Sequence, residues 1–198
     1  MGHRSRMLLC MGVALLCAGA TACSRSPTLV LQSISGAMPN LKFALTDVNG
    51  RAVTAQNYRG DAVLLYFGYT HCPDACPTTL AVLSRAIKGL GTKASQVRVL
   101  FVSVDPHRDT ATLLKSYVGF FGPQFVGLRG DEAELLSVTR RYHASFKLDP
   151  PERDGDYTVE HTNSVYVFDP AGRARLVTDA TDKPERITHD LRALIGGA

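Results

Sequence analysis

Ala62-Val63-Leu64-Leu65-Tyr66-Phe67-Gly68-Tyr69-Thr70-His71-Cys72-Pro73-Asp74-Ala75-Cys76-Pro77 is the stretch on which the reading of this chain turns. Its first six residues form an apolar run bounded by Gly60 and Gly68, which predicts a short strand buried on both faces of a parallel sheet. Pro77 suits the first turn of a helix and biases Cys76 away from the αR region. The sequence therefore predicts a helix beginning here, with Cys76 at or near its N-cap. Unpaired N–H groups and the positive end of the helix dipole then favour thiolate over thiol. Two exposed, activated thiolates serve either as a redox couple or as a pair of soft-metal ligands, and both readings stay open at this point.

Downstream, Leu80, Leu83, Ile87 and Leu90 recur at helical spacing, and Gly89 and Gly91 mark the end of that helix. Val97 to Val104 is a second continuous apolar strand, so residues 62 to 104 predict a βαβ crossover. Asp109 is read as the cap of a helix carrying Leu113, Leu114, Tyr117 and Val118, followed by a short strand at Phe125 to Leu128. Asp131 and Glu134 form a capping box for a helix whose stripe is Leu135, Val138 and Tyr142. Residues 146 to 160 read as polar, Pro-rich loop. Ser164 to Phe168 and Ala174 to Val177 read as a hairpin around Asp169-Pro170-Ala171-Gly172. Asp182 with Glu185 is read as the cap of a last helix. Upstream, Phe43, Leu45 and Val53 alternate with polar neighbours around Asn49-Gly50, as a β-hairpin does. This order describes a thioredoxin-like α/β fold with an N-terminal β-hairpin and an additional C-terminal hairpin.

The N-terminus reads differently. His3, Arg4 and Arg6 precede an apolar, small-residue run from Met7 to Ala22, the grammar of an export signal over residues 1–22. Ala20-Thr21-Ala22-Cys23 looks like a bacterial lipoprotein cleavage box, although such boxes usually carry Leu where Ala20 stands. Lipidation of Cys23, plain cleavage after Ala22 and an uncleaved anchor all fit, with lipidation the leading reading. Each puts the globular part outside the cytoplasm, on the periplasmic side of a bacterial membrane. Residues 23–40 are Ser/Pro/Gly-rich and read as a flexible tether, and the domain is expected over 41–198. Of 198 residues, 176 remain after residue 22, enough for one domain and too few for two. Of the five cysteines, only Cys72 and Cys76 fall in that domain, which excludes a disulfide-stapled scaffold. The net charge of +4 drops to +2 without Arg4 and Arg6, and the remaining cations are scattered among acids, which argues against nucleic-acid binding.

Three segments carry a resemblance: Gly68 to Leu80, with its two cysteines; Val102-Ser103-Val104-Asp105-Pro106-His107-Arg108-Asp109-Thr110; and His161-Thr162-Asn163-Ser164-Val165-Tyr166-Val167-Phe168-Asp169. Over residues 41 to 196 the chain resembles the Sco (SenC) family of copper chaperones that assist assembly of cytochrome c oxidase. The resemblance implies one copper ion held by Cys72, Cys76 and His161, and delivery to the dinuclear copper site of cytochrome c oxidase subunit II. Copper loading at such a site needs both thiols reduced, so an oxidised Cys72/Cys76 pair is expected to depend on a thiol reductase partner. The donor chemistry agrees. Cu(I) takes few, soft ligands, and two thiolates with an imidazole make a three-coordinate site that Cu(II) also occupies. Zinc usually takes a fourth ligand.

His161 alone before a strand is an ordinary exposed or core histidine, and the resemblance singles it out. His71, beside Cys72, is an alternative ligand or a neighbour tuning that thiol, while His107, His143 and His189 read as structural or solvated. Asp74 and Asp105 are candidates to orient His161 or tune the charge at the site, against ordinary roles in a turn and a loop. Tyr69 and Phe67 read as packing. The competing function is a thiol-disulfide oxidoreductase using Cys72 and Cys76 to reduce a partner's cysteines, which would make the chain an enzyme. The Cys-x-x-x-Cys spacing and the lack of proline in Glu160 to Ser164 weigh against it.

Overall fold

The computed structural model describes residues 28–150 and 157–197. In chain order the strands and helices are β1 (Gln32–Ser33), β2 (Ala44–Asp47), β3 (Ala52–Thr54), β4 (Ala62–Gly68), α1 (Ala75–Lys88), β5 (Val97–Ser103), α2 (Ala111–Gly119), β6 (Phe125–Arg129) and α3 (Glu132–Arg141). They continue with β7 (Phe146–Leu148), β8 (Val159–His161), β9 (Val165–Phe168), β10 (Ala174–Thr178) and α4 (Pro184–Gly196). Eight strands form one sheet in the order β1-β10-β9-β4-β5-β6-β2-β3, and β7 pairs with β8 in a separate two-stranded sheet. This is the expected thioredoxin-like arrangement, with βαβ units β4-α1-β5 and β5-α2-β6 at its centre.

Strand β4 is buried along its whole length, as its unbroken apolar run dictates. It is not in an all-parallel setting, however. It runs parallel to β5 from Ala62↔Val97 to Gly68↔Ser103 and antiparallel to β9 from Val63↔Phe168 to Tyr66↔Val165. The β9 ladder thus stops two residues before β4 does, so residues 161–164, which precede β9, arrive at the C-terminal end of β4. That register brings the third sequence segment to the cysteines.

The core is one cluster that spans both faces of the sheet. On one face Tyr66 of β4 meets Phe101 of β5 (ring centroids 5.8 Å apart), and Phe101 meets Tyr117 of α2 at 5.6 Å. Helix α1 lies on this face too, packed against α4, with Leu80, Leu83 and Ile87 buried. On the opposite face Phe67 meets Tyr166 at 6.4 Å, and Tyr142 at the end of α3 covers Tyr166 and Phe168. In the β2–β3 hairpin, Asp47 accepts from Asn49 N and Arg51 N, and Gly50 takes φ +78°.

Several capping assignments move. Asp109 does not cap α2; Thr110 does, accepting from Leu113 N, while Asp109 is completely buried. Asp182 does not cap α4, which starts with Lys183 at the N-cap and Pro184 in its first turn; Asp182 instead accepts from Thr178 Oγ1 and Arg186 Nη1. The Asp131/Glu134 capping box forms as expected. Residues 146–160, expected as loop, contain β7 and most of β8, which pair from Phe146↔His161 to Leu148↔Val159. Packing also begins before Leu41. Leu31 is buried, Gln32 and Ser33 pair with β10, and the buried Asp190 of α4 accepts from Val30 N and Leu31 N. The expected signal over residues 1–22 and the expected lipid site at Cys23 lie outside the described residues. Among the described residues no helix is long and apolar enough to cross a membrane.

Candidate metal centre

The thiol half of the site is the β4–α1 junction. Helix α1 begins at Ala75, so Cys76 is its second helical residue and not its N-cap; Asp74 is. Pro77 still falls in the first turn, where its missing N–H leaves no bond unmade. The cysteines are both free, but their exposure is unequal: Cys72 is half-buried and Cys76 fully buried, against the expectation of two exposed thiols. Cys76 is pressed onto β4. A Cβ added at Gly68 would lie 2.7 Å from Cys76 Sγ and 2.7 Å from the Phe101 ring, so only glycine fits there.

The turn between strand and helix is held from below by Asp109. This carboxylate accepts from Thr70 N at 3.1 and 3.2 Å, from Thr70 Oγ1 at 2.6 Å and from Ser103 Oγ at 2.6 Å. A buried charge is tolerated only with such partners. The Cys72 sulfur in turn receives Cys76 N at 3.3 Å, closing a loop in which the second cysteine's backbone faces the first cysteine's sulfur.

His161 comes from the other half, the last residue of β8. Its Nε2 lies 3.3 Å from Cys76 Sγ and its Nδ1 3.2 Å from Thr162 O. A proton on Nδ1 donated to that carbonyl would free the Nε2 lone pair for a metal, the tautomer that ligation requires. The imidazole stands edge-on to Tyr66 (6.1 Å) and Tyr69 (5.8 Å), and both aromatic rings come from the β4 side. Sγ of Cys72, Sγ of Cys76 and a ring nitrogen of His161 all lie within 4.8 Å of one another.

The two sulfurs are electrostatically unlike. A hydrogen bond from the Cys76 thiol, helped by His161 and by the N–H groups of Cys76 and Asp74, outweighs burial and holds the Cys72 thiol well below its ordinary value. The same pairing, together with burial, pushes Cys76 well above it. The two sulfurs are thus biased in opposite directions, Cys72 towards thiolate and Cys76 towards thiol.

The aspartates do not orient His161. Asp74 is exposed and accepts from Thr78 Oγ1 at 3.2 Å. Asp105 is buried and accepts from Arg108 Nε at 2.6 Å and Tyr157 OH at 2.8 Å. Arg108 in turn lies 3.5 Å over the Tyr157 ring and 5.7 Å from that of Tyr69. Asp105 thus acts at one remove, bracing the chain just before β8. His71 is exposed, with Nδ1 3.1 Å from Thr70 Oγ1 and 3.8 Å from Asp109, and it stands outside the three-ligand group. Sequence reasoning missed Tyr66, although it shares a face of β4 with Gly68, two residues on.

A sequence profile described as SCO1/SenC matches residues 33–196. The bovine Protein SCO2 homolog, mitochondrial, is 36% identical over 162 residues, 77% of this chain and 61% of that protein, so the chain spans less than two thirds of that relative. The structure of Bradyrhizobium japonicum ScoI with copper bound is similar with a TM-score of 0.72 and 41% identity, over 78% of this chain and 98% of that one. Yeast Sco1 with copper bound is similar with a TM-score of 0.73 and 28% identity, over 81% and 90%.

Proposed function

The chain belongs to the SCO1/SenC family, and from that premise we propose that it binds one copper ion through Cys72, Cys76 and His161 and delivers it to the dinuclear copper site of cytochrome c oxidase subunit II during assembly. The observation that carries this reading is the convergence, within 4.8 Å, of two sulfurs and an imidazole nitrogen from segments 85 residues apart. The donor set is soft and three-coordinate, which suits Cu(I) and admits Cu(II). Copper-bound relatives of the same fold support it.

Copper here is cargo. Loading requires both thiols reduced, and Cu(I) displaces the thiol protons that the pair carries. A Cys72–Cys76 disulfide cannot bind copper until a dithiol reductase donates two electrons and two protons, leaving two thiols. Delivery is ligand exchange, in which acceptor thiolates and imidazoles replace the three donors one at a time. The proposal includes export and a membrane tether at Cys23, which rest on the pattern of residues 1–23.

The unlike thiols also favour a second reading, in which the Cys72 thiolate attacks a partner disulfide and Cys76 resolves the mixed disulfide. Anaerobic titration of the reduced protein separates the two. Copper delivery expects one equivalent of tightly bound copper per chain, with thiolate-to-Cu(II) charge-transfer absorption that disappears in Cys72→Ser. Absence of tight binding, alongside a readily cycled disulfide, would replace the copper reading with the reductase one. A deletion strain that loses oxidase activity and regains it with added copper would then assign delivery.

A further inference from the structure

Tyr66 is the residue at this site whose position has no explanation in the metal-free protein. Its hydroxyl is buried and makes no hydrogen bond. A buried donor without a partner is rare, because the group gives up water and receives nothing in return. The place where it sits is specific. Tyr66 and Gly68 lie on the same face of β4, and Cys76 Sγ rests against that face at Gly68. The Tyr66 ring stands edge-on to His161, whose Nε2 is 3.3 Å from the same sulfur. Tyr66 therefore lies beneath both the buried thiol and the imidazole.

We propose that Tyr66 is a positioning residue for the metal, its hydroxyl donating a hydrogen bond to the Cys76 sulfur once that sulfur is a metal-bound thiolate. The inference rests on the copper reading above. A thiol is a weak acceptor, whereas a thiolate is a charged one, and Cys76 is fully buried. A hydrogen-bond donor lowers the cost of burying that charge, and the Tyr66 hydroxyl, whose polar neighbours are the side chains of Cys76 and Thr79, makes no bond of good geometry that it would have to give up. A phenol keeps its proton at neutral pH, and burial together with the neighbouring Cys76 raises this one further. The bond spreads negative charge away from the buried sulfur and so supports the metal-bound state. Tyr117, the other buried phenol hydroxyl on this face without a hydrogen bond, meets Phe101 and Phe121.

The test compares full-length wild type, Tyr66→Phe and Tyr117→Phe by three readouts: melting of the metal-free protein, Cu(I) affinity by chelator competition, and the energy of the thiolate-to-Cu(II) band. Tyr66→Phe is expected to melt at or above wild type without metal, since it loses an unsatisfied group. It is expected to bind Cu(I) about 10- to 100-fold more weakly, with the band moved to lower energy because its sulfur is no longer hydrogen-bonded. Tyr117→Phe should leave affinity and band unchanged. Wild-type affinity and band in Tyr66→Phe would overturn the inference and leave copper binding standing. Failure of Tyr66→Phe to fold, or equal shifts in both variants, would overturn it as well, because the hydroxyl would then have a structural or a nonspecific role. Absence of copper binding in wild type would overturn the parent reading, and this inference with it.

Discussion

The two cysteines and the histidine reach the same point by unlike routes. Cys72 and Cys76 stand where the most deeply buried strand turns into a helix, their turn tied to the buried Asp109 and their floor set by Gly68. His161 ends a three-residue strand of a small sheet outside the main one, placed by Thr162, by aromatic edges and, one step back, by Tyr157 on Asp105. Main-sheet strands and a helix thus hold one half of the site, and a peripheral hairpin offers the other. Under the delivery proposed above, this difference favours an order of release in which the hairpin-borne ligand leaves first while the thiols keep hold of the metal.

That contrast can be broken most forcefully at the sulfurs. Cys76→Ser is expected to abolish tight Cu(I) binding, whereas His161→Ala should weaken it and alter the Cu(II) spectrum most; normal Cu(II) spectra in His161→Ala would remove the histidine from the ligand set. Asp109→Ala strips the carboxylate from Thr70 and Ser103 and should cost about 3 kcal/mol of stability in urea unfolding. A loss under 1 kcal/mol would mean that the thiol turn holds itself. Gly68→Ala drives a methyl group into Cys76 Sγ and Phe101, a change expected to cost about 1–3 kcal/mol and to impair copper binding in the same titration. The smallest effect belongs to the hairpin side. Tyr157→Phe removes one hydrogen bond to Asp105 and should cost about 1 kcal/mol, and amide exchange should quicken in β8 while β4 is unaffected.

The legible parts of the fold were those whose signal is contiguous. The Ala62 to Phe67 run, the helical spacing from Leu80 to Ile87 and the Val97 strand each announce themselves within one element, and so does the cysteine pair. The aspartates misled because Asp109 beside Thr110, or Asp182 two residues before Pro184, looks like a cap until its partners are known. The partners of Asp109 include Thr70, 39 residues away. Strands β7 and β8 have three residues each, too few for alternation to register. Tyr66 passed as one more apolar residue in a strand, and its orphaned hydroxyl is visible only once Cys76 is seen lying across β4. The histidine was selected by family resemblance; its reach to the sulfurs follows from the β4–β9 register, which no local pattern encodes.

The pairing of β1 also decides where the leash is tied. Strand β10 runs in the same direction as β4 and β1 runs against it, with Gln32 opposite Val177, so Leu31 stands level with Tyr66. The chain therefore enters the domain at the cysteine end of the sheet, three strands or about 14 Å to the side. From Thr28 back to Cys23 are five Cα steps, which reach at most about 18 Å. With a lipid on Cys23, the ligand-bearing end would be held close above the bilayer and could not swing far from it. An acceptor embedded in that membrane would then meet the site by sliding sideways beneath it, and the search for a partner becomes two-dimensional.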